Sequence, residues 1–295
     1  MEQNPLWTAL ITPMQPSGEV DFKSFEYMLR QQEEAGNGVL ILGSTGEGLN
    51  LYEDEKREIV SFTKSLDLDV PMMVGIGGFQ LSSQVDFIHF CNEVNPDALL
   101  LVTPLYAKPG AEGQFEWFSE LMAETDLPCM LYNVPSRTGV KMHPSVPARI
   151  SEEFDNLLGV KEASGSVQEF KAFREAAPEV DFYSGDDGLT PDFSAEGGVG
   201  LVSVCANVWP KATRKYVEMC VEGDTEELLP LWKKSTAVLF KAPNPLPVKV
   251  MAHRKGWIEN DTVRLPLSLG DISEEVEKEL LDTEAEITDW LENLN

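Results

Sequence analysis

Short apolar runs punctuate the chain at intervals of a few tens of residues. They fall at Leu6–Ile11, Val39–Leu42, Met72–Ile76, Ala98–Val102, Cys129–Tyr132, Leu157–Val160, Phe182–Tyr183 and Leu201–Val204. Each is rich in β-branched or large apolar residues, without the polar alternation of a half-exposed strand. That pattern predicts strands buried on both faces of a parallel sheet. Between the runs lie segments with helical spacing of their apolar positions. Phe22–Gln32 carries Phe22, Phe25, Met28 and Leu29; Glu53–Leu66 carries Ile59, Val60, Phe62 and Leu66; Gln114–Thr125 carries Phe115, Phe118, Leu121 and Met122. These stripes predict helices packed on the sheet.

Eight strands alternating with helices predict an α/β chain closed as a (β/α)8 TIM barrel. An open doubly wound sheet is the alternative, but no glycine-rich dinucleotide fingerprint follows an early strand. After Val208 the strand signal stops. Trp209–Val221, Thr225–Leu239, Asn244–Lys255 and Ile272–Leu291 read as helices, with Asp271 and Glu274 as candidate caps of the last. The division expected is a barrel over 1–222 and a C-terminal helical appendage over 223–295, packed on the barrel because no low-complexity linker separates them.

Charge narrows the function. Fifty acidic against 23 basic residues give a net charge of -27, which repels phosphate backbones and anionic membranes. A site for small anions must therefore carry its own positive charge. The N-terminal stretch shows no basic segment followed by a long apolar run, and no stretch approaches a membrane span, so a cytoplasmic protein is expected. Cys91, Cys129, Cys205 and Cys220 are widely spaced, as are His89, His143 and His253. Reduced, mostly buried thiols and no metal site are expected.

In such barrels the reactive groups sit where strands end, on one rim. The second run ends in Gly43-Ser44-Thr45-Gly46-Glu47-Gly48, the fourth in Thr103-Pro104-Leu105-Tyr106, and the fifth in Tyr132-Asn133-Val134-Pro135-Ser136-Arg137-Thr138-Gly139. The sixth carries Lys161 in Gly159-Val160-Lys161-Glu162-Ala163, and the seventh ends in Ser184-Gly185-Asp186-Asp187. Lysine is rarely placed in an apolar strand. Two readings compete: a desolvated amine that attacks a carbonyl, or an ion pair with Glu162 at the rim. The glycine-rich loop lacks the lysine of a P-loop, and its backbone could cradle a carboxylate or simply make a tight turn. Arg137 is either a bidentate carboxylate ligand or a surface arginine. Asp186 and Asp187 lack further carboxylates at ligand spacing, so turn and capping roles are expected.

Together, GSTGEG, TPLY, YNVPSRTG, GVKEASG, SGDD and the late Asn244-Pro245-Leu246-Pro247-Val248-Lys249 resemble the dihydrodipicolinate synthase / N-acetylneuraminate lyase family over almost the whole chain. The resemblance implies a lyase in which Lys161 forms a Schiff base with pyruvate. Tyr132 would relay protons to the imine, and Tyr106 would reach across a dimer interface to complete the relay. Ser44 stands where the synthases usually carry a threonine hydroxyl. Thr45 would hold the pyruvate carboxylate, Arg137 the carboxylate of L-aspartate 4-semialdehyde, and Gly185 and Val202 would supply backbone contacts.

The family is usually a homotetramer, a dimer of dimers, and needs no metal or organic cofactor. YNVPSRTG resembles the synthase branch, which implies condensation toward lysine and diaminopimelate. The alternatives are another pyruvate-dependent aldolase acting on a sugar acid, such as a sialic-acid lyase, or a non-catalytic keto-acid sensor. Feedback-inhibited members bind lysine through histidines after the glycine-rich loop and an Asn and a Glu after the third strand. Here those stretches read Leu49-Asn50-Leu51-Tyr52-Glu53-Asp54-Glu55-Lys56 and Gly78-Phe79-Gln80-Leu81-Ser82-Ser83-Gln84, and Leu105 precedes Tyr106. Weak or absent lysine inhibition is expected.

Overall fold

The computed structural model describes residues 4–226 and 228–294. Eight strands are hydrogen-bonded in sequence order and close into one parallel barrel. They are β1 (Leu6–Ala9), β2 (Gly38–Ile41), β3 (Met72–Ile76), β4 (Ala98–Val102), β5 (Cys129–Asn133), β6 (Leu157–Glu162), β7 (Phe182–Ser184) and β8 (Gly200–Ser203). Closure leaves no exposed sheet edge. The helices between them are α1 (Phe22–Ala35), α2 (Glu53–Ser65), α3 (Leu81–Val94), α4 (Ala111–Met122), α5 (Pro135–Thr138), α6 (Ser145–Glu153), α7 (Val167–Ala176), α8 (Thr190–Ala195) and α9 (Pro210–Glu222).

Side chains alternate in direction along a strand, so each apolar run feeds two cores. Outward residues such as Leu6, Leu131, Val160 and Leu201 pack against the helices. Inward residues, among them Trp7, Leu40, Met73, Leu100, Met130, Tyr132, Tyr183 and Val202, fill the barrel. The same parity puts Lys161 inside, in register with Tyr132 on β5 and Tyr183 on β7. The first strand stops at Ala9 rather than Ile11, and β6 runs on through Lys161 to Glu162. Lys161 is therefore part of the barrel wall and not of a rim loop.

Local chemistry sets the helix ends. The Asp21 side chain accepts from Ser24 N to start α1, and Gly36 closes it in the left-handed region. After the barrel come α10 (Leu229–Val238), α11 (Leu246–Arg254) and α12 (Glu274–Asn293). The cap of α12 is Ser273, whose hydroxyl accepts from Val276 N. Asp271 does not cap it, because it is held in the short 3-10 turn Leu269–Asp271, and Glu274 is already inside the first turn.

Aromatic contacts seat these helices on the barrel. Trp232 of α10 stacks on Tyr216 of α9 at 4.1 Å between centroids, and meets Trp209 and Trp290 edge-on. Each such pair contributes about 0.5–1.5 kcal/mol beyond burial. No helix among the described residues is long and apolar enough to cross a membrane.

Candidate active site

A cavity opens on the rim where the strands end. Ser44, Thr45, Tyr132, Arg137, Lys161 and Gly185 all line it, so the structure brings six of the eight residues singled out in the sequence around one space. Lys161 rises from β6 into its floor and is only 5% exposed. Its Nζ stands 4.2 Å from the centre of the Tyr132 ring.

Glu162 does not pair with Lys161. Adjacent strand residues point to opposite faces, and the Glu162 carboxylate accepts from Asn133 Nδ2 at 2.6 Å and from Ser164 N at 2.8 Å. Among the described residues Lys161 forms no ion pair within salt-bridge distance. Burial pushes its pKa down to about 7; Asp187 partly opposes the shift and the Arg137 guanidinium reinforces it. A substantial share of the amine is thus neutral near pH 7, as attack on a carbonyl requires.

Gly185 makes room for this side chain. A Cβ there would come within 2.6 Å of the Ala163 Cβ and 3.0 Å of Lys161 Cε. Tyr132, buried at the end of β5, has its pKa raised by burial, while the Arg137 charge and the nearby Ser44 hydroxyl favour its phenolate. Ser44 and Tyr132 thus form a contact through which a proton can pass.

The Gly43–Gly48 loop is a closed turn. Glu47 N donates to Ser44 O and Gly48 N to Gly43 O, and Glu47 sits in the left-handed region at φ 55°. Gly48 is obligatory there, because a Cβ would meet Leu42 O at 2.0 Å. Arg137 lies on the one-turn helix α5, which Gly139 closes in the left-handed region.

Two expected residues stand apart. Val202 is inside the barrel on β8, and Val204, two residues further on, is the one that lines the cavity. Tyr106 is 88% exposed, adopts φ 67°, and is tied by its backbone N to Thr138 O at 3.2 Å. Its ring is not part of the cavity wall of a single chain.

Several residues of the site escaped sequence reading. Asp186 behaves as expected, its side chain accepting from Gly188 N. Asp187 does more than turn the chain. Its buried carboxylate accepts from Ser203 Oγ, Val204 N and Cys205 N and so ties the end of β8 to the β7 loop. Asn244 and Phe240 also line the cavity, brought there from beyond the barrel. Asn133 joins the Glu162 carboxylate to Met142 N. Proximity in sequence to Lys161 was a signal for Glu162; for Asn244 the only signal was its place at the head of the late Asn244–Lys249 motif.

A second cavity adjoins the first and shares Ser44, Tyr132, Val134 and Arg137 with it. Glu53, Lys56, Gln84 and Leu105, which the sequence placed at the regulatory positions of feedback-inhibited members, line it together. No group of three or more potential metal-ligating side chains occurs among the described residues. The four cysteines are buried and unpaired with one another.

The dihydrodipicolinate synthetase family model matches residues 3–286. The chain belongs to the dihydrodipicolinate synthetase family. It is 44% identical to the 4-hydroxy-tetrahydrodipicolinate synthase of Francisella tularensis subsp. novicida over 292 residues, 99% of this chain and 98% of that one. It is 40% identical to the enzyme of the same name from Wolbachia pipientis of Culex pipiens, with 92% of each chain covered. Among solved structures it superimposes on the 4-hydroxy-tetrahydrodipicolinate synthase of Methylacidiphilum fumariolicum SolV with a TM-score of 0.93 and 32% identity, covering 99% of both chains. The dihydrodipicolinate synthase of Thermotoga maritima gives 0.91 and 31%, covering 98% of this chain and 99% of that one. As a member of this family, the chain is a lyase-class enzyme on a TIM barrel.

Proposed function

We propose that the chain is a 4-hydroxy-tetrahydrodipicolinate synthase, condensing pyruvate with L-aspartate 4-semialdehyde on the path to diaminopimelate and lysine. One observation carries this reading: a buried lysine amine with a pKa of about 7 and, among the described residues, no ion pair shares a cavity with the hydroxyls of Ser44, Thr45 and Tyr132 and the Arg137 guanidinium. The full-length likeness to synthases supports it.

Lys161 Nζ adds to the keto carbon of pyruvate, and the carbinolamine loses water to give the imine. The Tyr132 and Ser44 hydroxyls carry the protons of that dehydration. Loss of a methyl proton gives the enamine, whose carbon attacks the aldehyde of the second substrate. The amine of that substrate then adds to the imine carbon, expels Lys161 and closes the ring. Thr45 holds the pyruvate carboxylate, and Arg137 holds that of the semialdehyde. Gly185 and Val204, just past the end of β8, border the bound pyruvate. Holding both anions together gives an effective molarity of about 10⁵ M or more. The reaction needs no metal or organic cofactor, because the imine itself is the electron sink.

The protein acts in the cytoplasm as a homotetramer, a dimer of dimers. A second copy covers the exposed ring of Tyr106 and takes that hydroxyl to its own Tyr132. The exposure of Tyr106, Leu49, Tyr52 and Phe79 supports that cover.

The test is a coupled assay with purified protein, pyruvate, and either aspartate semialdehyde or N-acetylmannosamine. Turnover with the semialdehyde alone is expected, and Arg137→Ala should raise its KM about 10- to 100-fold, the worth of a charge-assisted pair. Turnover with the sugar alone would move the protein to the sialic-acid lyases, where a serine at position 44 is also at home.

A further inference from the structure

The segment after the barrel reaches back over the open rim and touches the glycine-rich loop at two points. Asn244 Nδ2 donates to Thr45 Oγ1 at 2.9 Å. Five residues on, Lys249 Nζ donates to Glu47 Oε1 at 2.5 Å and to Thr262 O at 2.8 Å. That second contact is a fully buried ion pair, so the segment is fixed to the loop and cannot drift over it. Pro243 and Pro245 flank Asn244 and restrict its backbone. Asn244 itself lines the cavity that holds Lys161.

A threonine hydroxyl has one proton and two lone pairs. The amide N–H of Asn244 occupies a lone pair of Thr45 Oγ1, and among the described residues the Thr45 hydroxyl donates to no protein group in its turn. The proton is therefore free to point into the cavity, where an anion would take it. Asn244 Oδ1 is buried with no hydrogen-bond partner among the described residues; an acceptor facing Thr45 Oγ1 in place of Nδ2 would draw that proton away.

We propose that Asn244 is a positioning residue that turns the Thr45 hydroxyl proton toward the substrate carboxylate, with Lys249 and Glu47 anchoring the segment that carries it. The inference rests on the reading of Thr45 as the residue that holds the pyruvate carboxylate. It gives the helices beyond the barrel a part in substrate affinity and not only in stability.

The test uses the full chain and pyruvate alone. The imine is trapped with borohydride at a series of pyruvate concentrations, and the modified fraction is read by mass spectrometry. Asn244→Ala should raise the half-saturating pyruvate concentration about tenfold, the worth of a hydrogen bond to a charged group. The labelling plateau should stay unchanged. Asn244→Asp, close in shape but without an N–H, should weaken pyruvate at least as much, and it carries the test should the alanine variant not fold.

In a Thr45→Val background, Asn244→Ala should add no more than about twofold, because coupled residues do not act additively. An Asn244→Ala protein that saturates like the parent would overturn the inference. So would a tenfold loss that persists in full without the Thr45 hydroxyl, since Asn244 would then act by another route. A parent protein that forms no imine with pyruvate sinks the functional reading and this inference with it.

Discussion

Two lysines of this chain are buried, and they have opposite fates. Lys161 and Lys249 lie 5% and 0% exposed, each near the glycine-rich loop. Lys249 has a carboxylate and a carbonyl within hydrogen-bond reach. Lys161 has an aromatic face at 4.2 Å and, among the described residues, no ion pair. Burial depresses both amines, but Glu47 holds a countercharge against Lys249, and Glu162 turns away from Lys161 to Asn133 and Ser164. Burial alone does not make a nucleophile. In the proposed mechanism, burial with the neighbouring carboxylate engaged elsewhere does.

The comparison is broken most severely by exchanging the lysines' chemistry. Lys161→Met should lower kcat by about 10⁴-fold or more, because no general base replaces a covalent intermediate. The same protein should be more stable than the parent. A folded pKa of about 7 lies below the ordinary 10.5, so the unfolded chain binds the extra proton across that window, and the lysine's contribution to stability rises as pH climbs from 7 toward 10.5. The gain in the methionine variant should be about 3–5 kcal/mol near and below pH 7, shrinking toward alkaline pH. Chemical denaturation at pH 7 and 10 measures it. Equal stability of parent and variant at pH 7 would contradict the desolvation of Lys161.

Lys249→Met should do the reverse, leaving Glu47 buried and unpaired at a cost of about 3–5 kcal/mol. Removing the acid as well, in Lys249→Met/Glu47→Leu, should restore much of the stability, read from the same denaturation curves. Full stability in the single variant would show that the pair does not bear on the loop.

A milder perturbation sharpens the comparison without mutation. The pseudo-first-order rate of borohydride trapping with pyruvate should rise with pH and level off above about 7. A rate still climbing steeply to pH 10 would mean that Lys161 titrates as an ordinary lysine. The smallest expected effect concerns the adjoining cavity. With Glu53, Lys56, Gln84 and Leu105 on its walls, millimolar lysine should leave the initial rate nearly unchanged in a steady-state assay.

The barrel was legible because strands buried on both faces leave short continuous apolar runs, and eight of them recur between segments of helical spacing. Lys161 stood out for the same reason, as a charge interrupting such a run. Its choice between nucleophile and ion pair was not legible, since that turns on which face Glu162 takes and on Asn133, 29 residues away. The boundaries shifted where polar residues belong to strands, as at Lys161 and Glu162, or where proline delays a helix, as Pro230 does in α10.

What a motif match conveys is also limited by distance along the chain. Glu47 and Lys249 each sat within a recognisable motif, yet 202 residues separate the members of their ion pair. The Asn244–Thr45 contact spans 199. Only the closed barrel and its returning C-terminal segment bring them together. Tyr106 is the converse case, placed by resemblance at a site whose wall it does not line in its own chain.

The most direct measurement is to locate the trapped adduct. Reduction with borohydride in the presence of pyruvate, followed by peptide mapping, should place a single pyruvate-derived modification on Lys161, with Lys249 unmodified. Modification of Lys249, or of surface lysines with Lys161 untouched, would contradict the assignment of the unpaired buried amine as the nucleophile.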